Sequence, residues 1–291
     1  VHASIGDSKL NVDELLDVGF AEEKTEVIPL LIEYDKIKNH PWNYKLFDEN
    51  TNTYNILFVG RIAPNKGQFE LIELFDLFKK LSPLPSKLFL VGGTSDKNYE
   101  QSLHDLIDEK NLQDFVHITG KVPYEDLYAY YRASDVFVCL SEHEGFGVPL
   151  IEAMIFDVPV VAYDSSNIKN TLGGSGVLFK EKNLRYMAGF LSLLSKNRVL
   201  KRAIIKTQRE NLLDFQHNKI KYDLAHFLNR QNLTSIDLKS IPKTTSLQNV
   251  AIQIEGPFDS SYSLALLNRE MAKALEKLKP ESVSLFSTEG L

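Results

Sequence analysis

Hydrophobic and polar positions alternate in two rhythms between Tyr54 and about Asn229. The runs "YNILFVG" (54–60), "SKLFLVGG" (86–93), "FVHITG" (115–120), "DVFVCL" (135–140) and "VPVVAY" (158–163) are apolar at consecutive positions. A strand with one wet face alternates, so runs apolar on both faces predict strands buried in a parallel sheet. The segments between them keep the helical period. "FELIELFDLFKKL" sets Leu71, Leu74, Phe75 and Phe78 on one face, and "YEDLYAYYRA" groups Leu127, Tyr130 and Tyr131. Together they predict a doubly wound α/β domain, with a short sixth strand in "LGGSGVLF" and successive helices from Asn183 to Asn229. Beyond it, a polar linker around "TTSLQNV" precedes "VAIQIEGPFDSSYSLALLNREMAKAL", which starts afresh as strand, loop and helix. The chain has no short tandem repeat and no low-complexity tract.

Composition narrows this picture. At 43% apolar and 25% charged, the chain is ordinary globular material, and 291 residues suffice for one large domain or two smaller ones. A net charge of -6 offers no electrostatic reason to expect a nucleic-acid partner. The single cysteine, Cys139, lies in an apolar run, so no internal disulfide forms, which fits a reducing cytoplasm. No apolar run approaches the roughly 20 residues that span a bilayer, and no signal peptide pattern opens the chain. It opens on valine in mid-pattern, which reads as a fragment.

In doubly wound sheets ligands bind outside the carboxyl ends of the strands. After the first strand comes "GRIAPNKG", where Arg61 and Lys66 bracket a turn made by Pro64 and Asn65. A guanidinium fork, an ammonium and the N-terminus of the next helix suit a pyrophosphate, although the same two cations also fit a solvated loop. Neither a Walker motif nor GxGxxG follows the strand. After the fourth strand comes "SEHEGFGVPLIEAM" (141–154). Gly145 and Gly147 let backbone approach a ligand, and Pro149 opens a helix. Glu144 then sits in the loop at the mouth of the site, and Glu152 in the first turns of the helix. Carboxylates accept hydrogen bonds from the vicinal hydroxyls of sugars. A surface loop acid and a helix-start acid are the plain readings of the same two residues. His143 reads as a solvent-facing loop residue. The absence of GxSxG excludes a serine hydrolase, and the seven histidines have no zinc-like spacing.

"EGFGVPLIEAM", with seven residues between its glutamates, resembles the signature of retaining nucleotide-sugar glycosyltransferases of the GT-B fold, family four (glycosyl transferases group 1). "ILFVGRIAPNKG" is similar to that family's donor-phosphate loop, and "VHITGKVPYEDLYAYYRASDVFVCLSEHEGFG" to its central segment. The resemblance runs in order from about Tyr54 to about Phe179. It implies a Rossmann-like GT-B C-terminal domain in which Arg61 and Lys66 hold the donor diphosphate beside Gly60. It further implies that Glu144 contacts the donor sugar, with Gly145, Phe146, Gly147 and Val148 beside it, that Glu152 binds the ribose, and that Lys121 and Val122 lie against the base. Two cations and helix dipoles stabilise a leaving diphosphate without a metal, and the sequence has no Asp-x-Asp motif, so neither metal nor cofactor is expected.

The resemblance also divides the chain. Residues 1–50 are similar to the tail of an N-terminal acceptor domain with its linker, 51–230 to the donor domain, 231–248 to a linker, and 249–291 to the start of a further N-terminal GT-B-like domain. With most of the acceptor domain missing, the chain is expected to bind nucleotide sugar and to transfer poorly or not at all. The apolar stripe Ile220, Leu224 and Phe227 is expected to stand exposed. The implied partners are a nucleotide sugar and a glycan or lipid-linked acceptor, in the cytoplasm, with peripheral association at the inner membrane face left open. A nucleotide-sugar epimerase, a glycosyl phosphorylase and a non-catalytic sugar-nucleotide-binding domain remain as alternatives. Product analysis separates the first two, since a phosphorylase needs inorganic phosphate and an epimerase no acceptor.

Overall fold

The alternation of buried runs and amphipathic segments becomes a sheet covered by helices in a computed structural model. It describes residues 3–47, 52–236 and 238–240, together with the strands Ile252–Gly256 and Val283–Ser287. In chain order, β1 (Ser4–Gly6), α1 (Lys9–Asp17) and β2 (Thr25–Val27) come first, followed by α2 (Tyr34–Lys38). Then come β3 (Tyr54–Val59), α3 (Gln68–Leu81), β4 (Ser86–Val91), α4 (Lys97–Glu109), β5 (Val116–Gly120), α5 (Tyr124–Ala133) and β6 (Val136–Cys139). The rest is α6 (Val148–Ile155), β7 (Val160–Tyr163), α7 (Ile168–Leu172), β8 (Val177–Phe179), α8 (Leu184–Lys196), α9 (Arg198–Asn211), α10 (His217–Arg230), β9 (Ile252–Gly256) and β10 (Val283–Ser287).

The chain divides into two units, Tyr34–Leu212 and a second formed by Val1–Glu33 with Leu213–Leu291. The first holds a six-stranded sheet in the order β5-β4-β3-β6-β7-β8, and every neighbouring pair is parallel. Parallel neighbours need crossovers, and the helices that make them cover the sheet with apolar stripes. Thus Leu71, Leu74, Phe75 and Phe78 of α3 are buried in one cluster with Ile56 and Phe58 of β3, Leu88 and Leu90 of β4, and Val136 and Val138 of β6. In α5 the buried set is Tyr128, Ala129, Tyr130 and Tyr131, while Leu127 is half-buried. Reading outward from β3, the order reverses between β3 and β6. That reversal is the topological switch at which doubly wound sheets open a ligand crevice.

In the second unit β1 and β2 pair in parallel, as do β9 and β10. The expected strand in 250–275 forms as β9, and the helix expected after it lies outside the described residues. The expectation of an exposed stripe on 214–228 is corrected here, since Ile220 and Phe227 are buried and Leu224 packs against a small core. That core joins Phe227, Leu228 and Ile236 to Ala3 and Ile5, so segments far apart in sequence cover the stripe. Asn229 supports the arrangement by accepting from the Ile236 amide at 2.8 Å and donating to the Ile236 carbonyl at 2.7 Å. Among the described residues no helix is long and apolar enough to cross a membrane.

Candidate functional site

The carboxyl ends of β3 and β6 flank the switch, and their loops carry most of the residues singled out from the sequence. After β3 the chain makes a single 3-10 turn at Pro64–Lys66 and enters α3 through Gly67, whose φ is +71°. A Cβ at Gly67 would lie 2.6 Å from the carbonyl oxygen of Leu140, so this left-handed, closely packed residue must be glycine. After β6 the loop closes on α6 through Gly147, with φ +81°, and Pro149 follows in the first turn. Neither α3 nor α6 has a side-chain cap on its first N–H groups, as is also true of α5, α7 and α10, whereas α1, α4, α8 and α9 are capped by Ser8, Asp96, Asn183 and Asn197. Two uncapped helix starts therefore bring unsatisfied donors and two positive dipole ends to the switch.

The two loops are tied together. The Glu142 amide donates to the Asn65 carbonyl at 2.9 Å. Lys66 Nζ donates to Glu144 Oε1 at 2.6 Å and to the His143 carbonyl at 2.8 Å. Both ion-pair side chains are only about a seventh exposed (14% and 15%), so cation and carboxylate meet out of bulk water. Glu144 is thus more enclosed than a surface loop acid, and His143 contributes its carbonyl while its residue stays exposed, as expected from sequence. Arg61 is exposed and enters no ion pair among the described residues; its carbonyl accepts from Gln68 Nε2 at 3.0 Å. Gly60 is anchored by its amide to the Val91 carbonyl at 3.0 Å. Lys121 and Val122 follow β5, the first exposed and the second half-buried. Phe146 is buried, and its carbonyl accepts from the Thr171 hydroxyl. Gly145 and Val148 are partly exposed in the same loop.

Glu152 occupies a different setting. It is 8% exposed, on the inner face of α6, and Tyr131 Oη of α5 donates to its Oε2 at 2.8 Å. Burial pushes its carboxyl up to about 7, and the Tyr131 hydrogen bond pulls the other way. Tyr131 itself is raised well above the usual phenol range by burial and by the Glu152 charge. At the end of β6, Cys139 is buried, and burial with the charge of Glu144 pushes its thiol up to about 11.

Sequence reasoning missed Tyr131, Gln68 and Lys182. The hydroxyl of Tyr131 is a polar tip on a residue read only as core-facing. Gln68 is fully buried and bridges the Arg61 carbonyl to the hydroxyl of Tyr99. Lys182 joins Glu142 at 3.1 Å and Glu70 at 3.6 Å, and no local pattern announces that meeting.

Six parallel strands covered by helices, with the order reversing between β3 and β6, define an α/β domain of the GT-B kind. The family model described as "Glycosyl transferases group 1" matches residues 45–211, more than half of the chain. The protein belongs to that family. Over 99 residues it is 38% identical to GDP-mannose:cellobiosyl-diphosphopolyprenol alpha-mannosyltransferase of Xanthomonas oryzae, an alignment covering 34% of this chain and 26% of that one. Trehalose synthase of Thermococcus litoralis is 28% identical over 188 residues, covering 60% and 45%. Among solved structures, HepE of Anabaena in complex with UDP aligns with a TM-score of 0.68 at 21% identity, covering 79% and 64%. A glycosyltransferase of Rickettsia africae aligns with a TM-score of 0.68 at 22% identity and the same coverages. The chain thus spans about a quarter to less than two thirds of these relatives' lengths.

Proposed function

We propose that the unit Tyr34–Leu212 is the donor-binding half of a retaining glycosyltransferase, which moves a sugar from a nucleoside-diphosphate sugar to an acceptor. The observation that carries this reading is the meeting of Lys66 and Glu144 at 2.6 Å across the switch, beside two helices that start on uncapped left-handed glycines. A diphosphate leaves with negative charge. Lys66, Arg61 and the amides that open α3 and α6 are the groups that offset it there. Glu144 shares its carboxylate between Lys66 and the hydroxyls of the sugar. Glu152, deeper and uncompensated by a cation, accepts from the ribose, while Lys121 and Val122 border the base. Charge neutralisation comes from these residues in this reading, with no metal required.

Calorimetric titration with UDP, GDP and ADP tests it, before and after chelation and with Lys66→Ala and Glu152→Ala. Selective binding of one nucleotide, insensitive to chelator and weakened about tenfold or more by each substitution, supports the assignment. A folded chain that binds none of the three refutes it. Anomeric analysis of the product made by the whole protein decides retention.

A further inference from the structure

We propose that Tyr131 is the positioning residue for Glu152, its hydroxyl anchoring one carboxylate oxygen so that the other is aimed at the donor's ribose. This deepens, and rests on, the donor-site reading above.

The anchor is rigid. The Tyr131 ring is fully buried, stacked near Phe156 at 5.5 Å and 15° and near Phe137 at 6.2 Å and 22°. A fully buried phenol packed against two rings has no room to swing, so the oxygen 2.8 Å from it is fixed too. The same hydroxyl lies 3.3 Å from the Pro149 carbonyl, which ties it to the first turn of α6. Glu152 Oε1 is left with no protein hydrogen bond among the described residues, and a ribose diol donates to such an acceptor.

The charge argument points the same way. A buried carboxylate is held ionised by a cation or by hydrogen bonds. The elements packed on α6 include α2, α7, α9 and β7. Lys38 of α2 is committed to the Ile155 carbonyl at 2.6 Å and to Asp157 at 3.8 Å, and Arg209 of α9 to Asp157 at 2.7 and 2.8 Å. Lys169 of α7 is exposed, and Tyr163 of β7 faces Lys182. On α5 the groups near Glu152 are Tyr131 and Tyr128, while Arg132 is exposed and stacks on Trp42 and Phe156. Burial favours the neutral acid, and the one group that favours the charged form is the Tyr131 hydroxyl.

Two measurements on the full chain test this, with Tyr131→Phe and Glu152→Gln. The first follows the Glu152 carboxyl by 13C NMR in the nucleotide-free protein. Tyr131→Phe is expected to move its titration upward by about one pH unit, because the lost hydrogen bond favoured the ionised form. An unmoved titration overturns the coupling. The second follows UDP and GDP affinity from about pH 6 to about pH 9. Wild-type affinity is expected to rise with pH through the Glu152 titration. Tyr131→Phe is expected to lose about fivefold near pH 7 and to recover toward wild type at alkaline pH. Glu152→Gln is expected to flatten the profile and to mask any further effect of Tyr131→Phe. An equal loss at every pH makes Tyr131 merely structural and overturns the proposal. A folded wild type that binds neither nucleotide overturns the donor-site reading instead, and the carboxyl titration reports on the coupling independently.

Discussion

Glu144 and Glu152 lie eight residues apart on one loop-helix segment, yet they are opposite solutions to placing a carboxylate in a crevice. Glu144 meets an ammonium, and the pair tolerates partial burial because each charge compensates the other. Glu152 meets only a phenol and bears the full cost of burial, which pushes it up to about 7. The difference teaches that a motif fixes residue types while the partner decides charge. A carboxylate paired with a cation has its charge balanced by its neighbour. One paired with a hydroxyl becomes a proton-sensitive acceptor.

The strongest test of the contrast removes the cation. Lys66→Ala is expected to lower sugar transfer by the whole protein by roughly 10²–10³-fold, the size of losing one stabilising donor at a developing charge. Combined with Glu144→Gln, the loss should fall well short of the summed singles, because each change removes the same contact. Strict additivity in initial-rate kinetics would show that the two side chains act separately and would dissolve the comparison.

The other half of the contrast is tested by stability against pH. The folded Glu152 titrates near about 7, against an ordinary value of 4.5, so between these values the folded state keeps a proton that the unfolded chain has released. Its contribution is therefore fully present below pH 4.5 and lost as pH rises through about 7. Glu152→Gln should abolish that loss, gaining on the order of 3 kcal/mol over wild type at alkaline pH and nothing at acid pH. Chemical denaturation at several pH values checks this, and parallel curves for the two proteins would contradict the buried, cation-free setting. The smallest effect concerns the hinge between the two residues. Gly147→Ala forces a Cβ into a left-handed residue 2.8 Å from Leu150 Cδ1, and should cost about 1–2 kcal/mol in thermal unfolding. An unchanged melting temperature would mean that the turn into α6 can relax.

Much of this is legible in the chain. Strands buried on both faces betray themselves as continuous apolar runs, so the sequence predicts all six strands of the main sheet and the buried face of α3, whereas on α5 it groups Leu127 with Tyr130 and Tyr131 and passes over the buried Tyr128. Gly145, Gly147, Pro149 and the paired glutamates marked the second loop, and their meeting with the Arg61–Lys66 loop follows from the rule about carboxyl ends. Local periodicity carries no information on which strand lies beside which, so the reversal between β3 and β6 appeared only in three dimensions. Tyr131 was hidden for a related reason, since its ring satisfies the apolar pattern and conceals the role of its hydroxyl. The covering of Ile220 and Phe227 depends on residues such as Ala3 and Ile5, more than two hundred positions away in sequence, and no window on α10 contains them.

Cys139 closes β6 one strand-end below the Lys66–Glu144 contact, as the chain's single thiol, buried and pushed up to about 11. A thiol so protonated and enclosed reacts with an alkylating reagent only while the strand is open. Its modification is therefore a clock with one hand. The labelling rate counts openings at the centre of the sheet, and whatever clasps the loops above it slows the count.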